Sequence, residues 1–127
     1  MPIRLSGTYW LDYMLYPDKK TYQYEVSLCL IFKDEAPYLK EWLEYHILIG
    51  IDHFYLYNNN STDNFVEILE PYIRSGKVTL TNWAQNYSQI GAYEHCYNMS
   101  KNETHWLGYL DTDEFFNLIV DGGGGRE

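Results

Sequence analysis

The feature that most constrains this chain is the alternation of short apolar runs with longer amphipathic segments. The runs, typical of strands, cover 25–32, 53–57, 77–81 and 105–110. Between them, apolar residues recur every three or four positions, which is the spacing of one helical face. Strands that alternate with helices favour a parallel sheet, because each helix returns the chain to the start of the next strand. The sequence therefore predicts an α/β/α sandwich with a mainly parallel sheet.

Proline, polar caps and glycine mark the ends of three predicted helices. The three helices are predicted to begin at Pro37, at Asp63 or Asn64, and at Gln89. The first two are predicted to end at Gly50 and Gly76. On the first helix, Trp42 and His46 lie on the apolar face and are predicted to be core residues. On the third helix, the positions predicted to face inward are Ala92, Tyr93, Cys96 and Tyr97.

Composition excludes several classes of protein. With 127 residues, of which 46% are hydrophobic and 18% aromatic, the chain suits one globular domain with a real core. A net charge of −9 argues against a nucleic-acid binder, because phosphate backbones require a basic surface. The apolar runs are too short to span a bilayer, so no membrane segment is predicted in this chain.

Cysteine usage and glycosylation patterns bear on the cellular setting. Two cysteines, Cys29 and Cys96, do not form a disulfide framework, and both are expected to be buried thiols. Asn59 and Asn60 match the N-x-S/T pattern, but they fall in a predicted ligand loop, where a glycan would obstruct binding. These observations favour a reducing, cytoplasmic setting, with membrane association left to other parts of a longer protein.

Every predicted strand ends in polar residues. They are Lys33, Asp34 and Glu35; Asn58 to Asp63; Asn82, Trp83, Gln85 and Asn86; and Asp111, Thr112, Asp113 and Glu114. Ligands of open α/β sheets bind at the carboxyl ends of the strands. The convergence of polar groups on one rim is therefore the strongest sign of a site that composition and pattern provide.

The last of these groups, Asp-Thr-Asp-Glu at 111–114, predicts a metal site. Strand alternation would place Asp111 and Asp113 on the same side, where two carboxylates repel each other unless a cation lies between them. Hard divalent ions prefer oxygen ligands, so Mn²⁺ or Mg²⁺ is expected. Such an ion would also allow a diphosphate to approach, since a close pair of like charges costs about 4 kcal/mol at an effective dielectric of about 20.

Other interpretations of the D-x-D pattern remain. It is short, and chance accounts for many such matches. A calcium-binding loop needs an oxygen ligand and then glycine where this chain has Phe115 and Phe116. An aspartyl-phosphate phosphatase would have a small residue at position 115, and a nucleotidyltransferase would show a glycine-rich basic loop after its first strand.

The chain resembles glycosyltransferase family 92 and its bacterial family-2-like relatives. The resemblance lies in VSLCLIFKDEAPYLKEWLEYHILIGIDHFYLYNNNSTDN, QIGAYEHCYN and WLGYLDTDEFF, which occur in the family's order and spacing. It implies the GT-A fold, a Rossmann-like sandwich that binds a nucleotide-sugar donor. It also implies transfer of the sugar to the hydroxyl of a glycan or other acceptor, usually with Mn²⁺ or Mg²⁺.

The resemblance implies roles for the first two strand ends. Asp34 and Glu35 would lie beside the base or ribose of the nucleotide. Asn58 and Asp63 would contact the base, which we expect to be uracil. Asp63 also has a simpler interpretation, as the cap of the helix that follows.

The later positions carry the rest of the implied site. Gln89 and Tyr93, four apart on one helical face, would look onto the nucleotide-sugar pocket. Asp111 would meet the ribose or the metal, and Asp113 would bind the metal that holds the diphosphate, while the role of Glu114 is open. As alternatives, Gln89 merely begins a helix and Tyr93 is a core residue.

These predictions divide the chain into three parts. Residues 1–24 form an N-terminal arm or strand, 25–120 the nucleotide-sugar-binding half of a GT-A domain, and 121–127 a glycine-rich tail. The family's acceptor site and, in inverting enzymes, its carboxylate base follow the D-x-D motif, so both are expected beyond residue 127. The chain is thus predicted to be a donor-binding fragment with little activity alone. The alternative is a degenerate, non-catalytic module that binds a nucleotide or supports assembly.

Overall fold

Strands and helices alternate along the chain as the sequence predicts. The computed structural model describes residues 21–84 and 89–116. The elements are β1 (Tyr24–Phe32), α1 (Ala36–Leu48), β2 (His53–Asn58), α2 (Phe65–Arg74), β3 (Val78–Asn82), α3 (Gln89–Ser100) and β4 (Thr104–Tyr109). The predicted tail at 121–127, and the predicted arm up to residue 20, lie outside the described residues.

The four strands form one parallel sheet in the order β3-β2-β1-β4. Phe32 at the end of β1 pairs with Asn58 of β2, and Asn58 pairs with Asn82 of β3. Three strands therefore end level with one another. β4 ends at Tyr109, which pairs with Cys29, so the segment after β4 comes level with the last residues of β1. The predicted α/β architecture with a parallel sheet is confirmed.

Helices cover both faces of the sheet, because alternate residues of a buried strand point to opposite sides. On one face, α1 and α2 bury the larger core cluster; its members include Leu28, Leu30, Phe32, Leu39, Trp42, Leu43, Phe54, Leu56 and Leu69. On the other face, α3 packs on a smaller cluster of Cys29, Tyr55, Tyr57, Ala92 and Cys96. Both cysteines are free and buried, as predicted.

Two details of the helices differ from the sequence predictions. Tyr97 is 56% exposed, so its predicted inward position is wrong: the buried strip of α3 consists of Ala92, Cys96 and Ser100. Asn64 precedes α2 without a side-chain cap, and its amide instead donates to Glu67 Oε1 at 3.4 Å. Gly76, with φ +85°, does follow the end of this helix as predicted, because glycine tolerates the left-handed region.

No helix within 21–84 and 89–116 has the length and apolar character needed to cross a membrane.

Candidate functional site

The strand order reverses between β1 and β4, and a cleft opens at this point. β2 and β3 lie on one side of β1, whereas β4 lies on the other. Ligands of open α/β sheets bind at such a reversal, because the connections leave the strand ends in opposite directions and open a crevice between them. The cleft has a volume of about 580 Å³. It is lined by Ile31, Phe32, Lys33, Glu35, Tyr38, Glu41, Asp111, Thr112, Asp113 and Phe115.

The charged groups of the cleft are mostly acidic. Four carboxylates, from Glu35, Glu41, Asp111 and Asp113, accompany a single cation, Lys33. Like charges at close range raise one another's energy, and a phosphate would add to this repulsion. The cleft thus has the electrostatic character of a cation site and is unsuited to a bare diphosphate.

The acidic motif forms a tight turn, which differs from the sequence prediction. Strand pairing ends at Tyr109, so strand alternation does not set the directions of Asp111 and Asp113. Instead the Glu114 N–H donates to Asp111 O at 3.0 Å, and the Asp111 N–H donates to the Glu114 carboxylate at 2.9 Å. Glu114, whose role was open, therefore closes the turn. We call residues 111–114 the acidic turn.

Side chains of α1 hold the acidic turn from the core side. The indole N–H of Trp42 donates to Asp111 O at 3.1 Å and to Glu114 O at 3.0 Å. His46 Nε2 accepts the Phe116 N–H at 3.0 Å. Both side chains are fully buried, as predicted, but sequence reasoning missed these contacts with the turn. The sequence feature that could have indicated these contacts is a pair of aromatic rings with N–H groups, four residues apart on one helical face.

Asp34 and Asp63 link the loops that follow β1 and β2. Asp34, in the left-handed region at φ +52°, accepts the Thr62 N–H at 2.7 Å. Its own N–H donates to Ser61 Oγ at 2.9 Å. The Thr62 hydrogen bond is the main cause that lowers the pKa of Asp34. Asp63 Oδ2 accepts the Ala36 N–H at 2.9 Å, so it anchors α1 rather than capping α2.

Asn58 is engaged within the rim. It is 8% exposed, and its amide donates to Asn82 Oδ1 at 3.0 Å while its oxygen accepts the Ser61 N–H at 2.9 Å. These bonds join the ends of β2 and β3 to the loop after β2. Asn58 therefore shapes the loop that carries Ser61, Thr62 and Asp63.

Gln89 and Tyr93 form a pair at the start of α3, as their spacing predicts. Gln89 Nε2 donates to Tyr93 Oη at 2.6 Å. The Tyr93 ring packs against Tyr109 at the end of β4, with 4.5 Å between centroids. Burial raises the pKa of Tyr93, and the nearby charges of Asp111 and Glu114 add to that increase. Tyr93 thus lies within electrostatic reach of the acidic turn.

The carboxylates at the cleft suit a metal ion that takes its remaining ligands from water and a bound substrate. Among residues 21–84 and 89–116, no three His, Cys, Asp or Glu side chains converge on one metal position. Mg²⁺ sites in phosphate-handling enzymes commonly use only one or two carboxylates, with water and substrate phosphates as the other ligands. Exposed Asp111 and Asp113 at the cleft fit such a partial set.

Fold and site together define an α/β protein with a cleft at the strand ends and an acidic turn at the reversal of strand order. Comparison with known sequences is specific: glycosyltransferase family 92 matches residues 22–123. The chain belongs to glycosyltransferase family 92, as its resemblance to that family predicts.

Individual relatives agree with this assignment. A glycosyltransferase family 92 protein of Ricinus communis is 33% identical over 97 residues, which are 76% of this chain and 17% of that protein. A family 92 protein of Arabidopsis thaliana is 31% identical over 99 residues, 77% of this chain and 17% of that protein. A galactan beta-1,4-galactosyltransferase of Arabidopsis thaliana is 28% identical over 125 residues, 87% of this chain and 25% of that protein. The chain therefore spans a quarter or less of the length of these relatives.

Proposed function

We propose that this chain is the donor-binding part of a metal-dependent glycosyltransferase that uses a nucleotide-sugar, most simply a UDP-sugar. The observation that carries the proposal is the acidic turn at the reversal of strand order, beside a cleft of about 580 Å³. In this arrangement Asp113 would hold Mn²⁺ or Mg²⁺, and Asp111 would contact the ribose or serve as a second metal ligand. Such an ion would supply positive charge that stabilises the diphosphate of the donor as it departs.

The linked loops after β1 and β2 are the proposed nucleotide-binding side. Asp34 and Glu35 lie beside the base or ribose in this proposal, and Asn58 and Asp63 form the uracil end. Asp63 Oδ1 is a buried oxygen without a hydrogen-bond partner among the described residues. A pyrimidine N–H is the kind of donor that such an oxygen accepts, after a small movement of the loop. In this proposal Gln89 and Tyr93, which are not among the described residues lining the cleft itself, contribute the α3 side of the donor site.

We further propose that the complete protein transfers its sugar with inversion to a hydroxyl of a glycan or other acceptor. Inversion requires a base that accepts the hydroxyl proton, and we assign that role to no residue within 21–84 and 89–116. Relatives named as beta-1,4-galactosyltransferases make galactose the first sugar to test.

Calorimetry with UDP, in the presence and absence of Mn²⁺, tests the proposal. We expect binding that requires Mn²⁺ and that is lost in Asp113→Asn, which removes the charge and keeps the shape. Glu70→Gln is the matched control, because it removes one exposed carboxylate from α2, outside the cleft. Equal binding by both variants would reject the metal role, and no binding of any nucleotide would favour an assembly module.

The cytoplasmic setting remains a proposal from the sequence. Cys29 and Cys96 belong to the same buried cluster, and both are free thiols in the structure. Thiol labelling of the denatured protein, immediately after isolation from its native cells, tests this setting. Two reactive thiols per chain are expected, whereas an oxidised pair would contradict a reducing compartment.

A further inference from the structure

We propose that Trp42 and His46 of α1 are positioning residues, which hold the acidic turn in the conformation that binds the metal. The inference rests on the proposed function and deepens it, because it adds the support of the metal ligands. Neither side chain lines the cleft. Both act through the backbone of residues 111–116.

Trp42 fixes the two ends of the turn with one donor. Its indole N–H lies 3.1 Å from Asp111 O and 3.0 Å from Glu114 O, the first and last carbonyls of the turn. Asp113 lies between these two points. The ring itself is fully buried and packs edge-on against Phe54 of β2, with 5.6 Å between centroids. The turn is therefore attached to the rigid core and not only to itself.

His46 fixes the segment that follows the turn. The Phe116 N–H donates to Nε2 at 3.0 Å, which requires Nε2 to carry no proton. Nδ1 then carries the proton and donates to Trp42 O at 2.8 Å. One neutral imidazole thus connects the backbone of α1 at Trp42 to the backbone at Phe116. Burial lowers the pKa of His46, which favours this neutral form.

Aromatic contacts hold the same segment against α1. The Phe115 ring stacks on His46 with centroids 5.7 Å apart and planes 8° from parallel. Tyr45 meets the Phe115 ring edge-on at 5.0 Å, and its hydroxyl donates to Phe116 O at 3.0 Å. Phe115 also lines the cleft. The wall of the cleft at Phe115 is consequently held by two side chains of α1, Tyr45 and His46.

This support has a chemical reason. Asp111, Asp113 and Glu114 repel one another, and repulsion favours an extended, open segment over a tight turn. The hydrogen bonds that join the buried Trp42 and His46 side chains to this backbone resist that opening before any metal arrives. A site whose ligands are already held in the binding conformation binds its metal more tightly, because less conformational entropy is lost on binding.

Trp42→Phe tests the inference, because phenylalanine keeps an aromatic ring and lacks the N–H. Trp106→Phe is the matched control, since Trp106 is 59% exposed on β4. The measurement is the Mn²⁺ concentration that gives half-maximal UDP binding in the full chain. Loss of support around metal ligands typically weakens metal binding by about 10–100-fold, so we expect at least a tenfold increase for Trp42→Phe. Affinity for UDP at saturating Mn²⁺ should stay near that of the unsubstituted chain.

His46→Gln and His46→Leu form a second pair that does not alter the indole. Glutamine keeps an acceptor for the Phe116 N–H, whereas leucine has none at similar size. We expect His46→Leu to show the raised Mn²⁺ requirement and rapid hydrogen exchange at the Phe116 amide, and His46→Gln to restore both. A purely packing role predicts the same result for the two variants.

The outcomes separate the two proposals. If the unsubstituted chain binds UDP without any need for Mn²⁺, the proposed metal site and this inference both fail. If its binding requires Mn²⁺, but Trp42→Phe matches Trp106→Phe and His46→Leu matches His46→Gln, only the positioning role is overturned.

Discussion

Asp52 offers a sharp test of how the sheet register is held, because one of its carboxylate oxygens binds two backbone groups of β1. Oδ2 accepts the Glu25 N–H at 2.9 Å and the Val26 N–H at 3.0 Å. The Asp52 N–H donates in turn to Val26 O at 2.9 Å. Asp52 precedes β2, so these bonds fix the start of β1 against the start of β2. Their loss would loosen the register that brings Phe32 level with Asn58 at the rim.

The magnitude follows from the number and surroundings of these bonds. A hydrogen bond to a charged group contributes about 1.5–3 kcal/mol when buried, and Asp52 is only half-buried. We therefore expect Asp52→Ala to lower the free energy of unfolding by about 2 kcal/mol for the two bonds together. Asp52→Asn keeps an oxygen that can accept both bonds and loses only the charge, so we expect a loss of about 1 kcal/mol or less.

Urea unfolding followed by circular dichroism measures both variants. At about 4 °C per kcal/mol for a chain of this size, Asp52→Ala should also lower Tm by about 8 °C. Glu94→Ala, at an exposed position of α3, is the control and should change stability by less than about 0.5 kcal/mol. If Asp52→Ala is as stable as this control, the two hydrogen bonds do not hold the strand. Equal losses in Asp52→Ala and Asp52→Asn would assign the effect to charge instead.

Two further predictions concern the core and the linked loops. Leu30 is fully buried in β1, so Leu30→Ala should lower the free energy of unfolding, measured in urea, by about 2–5 kcal/mol. Leu48 is 84% exposed, so the control Leu48→Ala should lower it by less than about 0.5 kcal/mol. Similar losses in the two variants would contradict the assigned core. The lowered pKa of Asp34 means that its bond to Thr62 stabilises the loops fully above the ordinary Asp pKa of about 3.9. That contribution is lost as pH falls through the lower pKa of the folded state, which the NMR shift of the Thr62 amide should follow. A transition at or above the ordinary value, or an unchanged transition in Asp34→Asn, would refute it.

Much of the fold was predictable, because the signals for strands and helices are local. The apolar run of β1 and the helix-ending role of Gly50, at φ +106°, depend on neighbours a few residues away. Predicted and observed strand ends differ by one residue at most for all four strands. Tyr97 was misplaced for a different reason. An inward position depends on how the helix is rotated over the sheet, and both tyrosines of α3, Tyr93 and Tyr97, satisfy the same spacing.

The strand ends that carry the candidate site residues were predictable, whereas the connections between these residues were less so. Parallel strands end on one edge of a sheet, so the sequence could predict that Asp34, Asp63 and Asp113 follow strands ending at the same edge. The hydrogen bonds that these residues make could not be predicted from the sequence. The sequence suggested Asp63 as a cap of α2, but its oxygen reaches Ala36, 27 positions earlier. Such a partner becomes visible only when the two loops are placed side by side.

The sequence by itself determined the order of elements, the two-sided burial of the sheet and the acidic character of the rim, because hydrophobic period and charge belong to the chain. The tertiary structure decided that the D-x-D motif is a closed turn rather than the end of a strand. It also decided that Trp42 and His46, some 70 positions away, hold this turn. The physical reason is that a hydrogen bond needs two groups within about 3 Å, and folding alone brings such distant groups together.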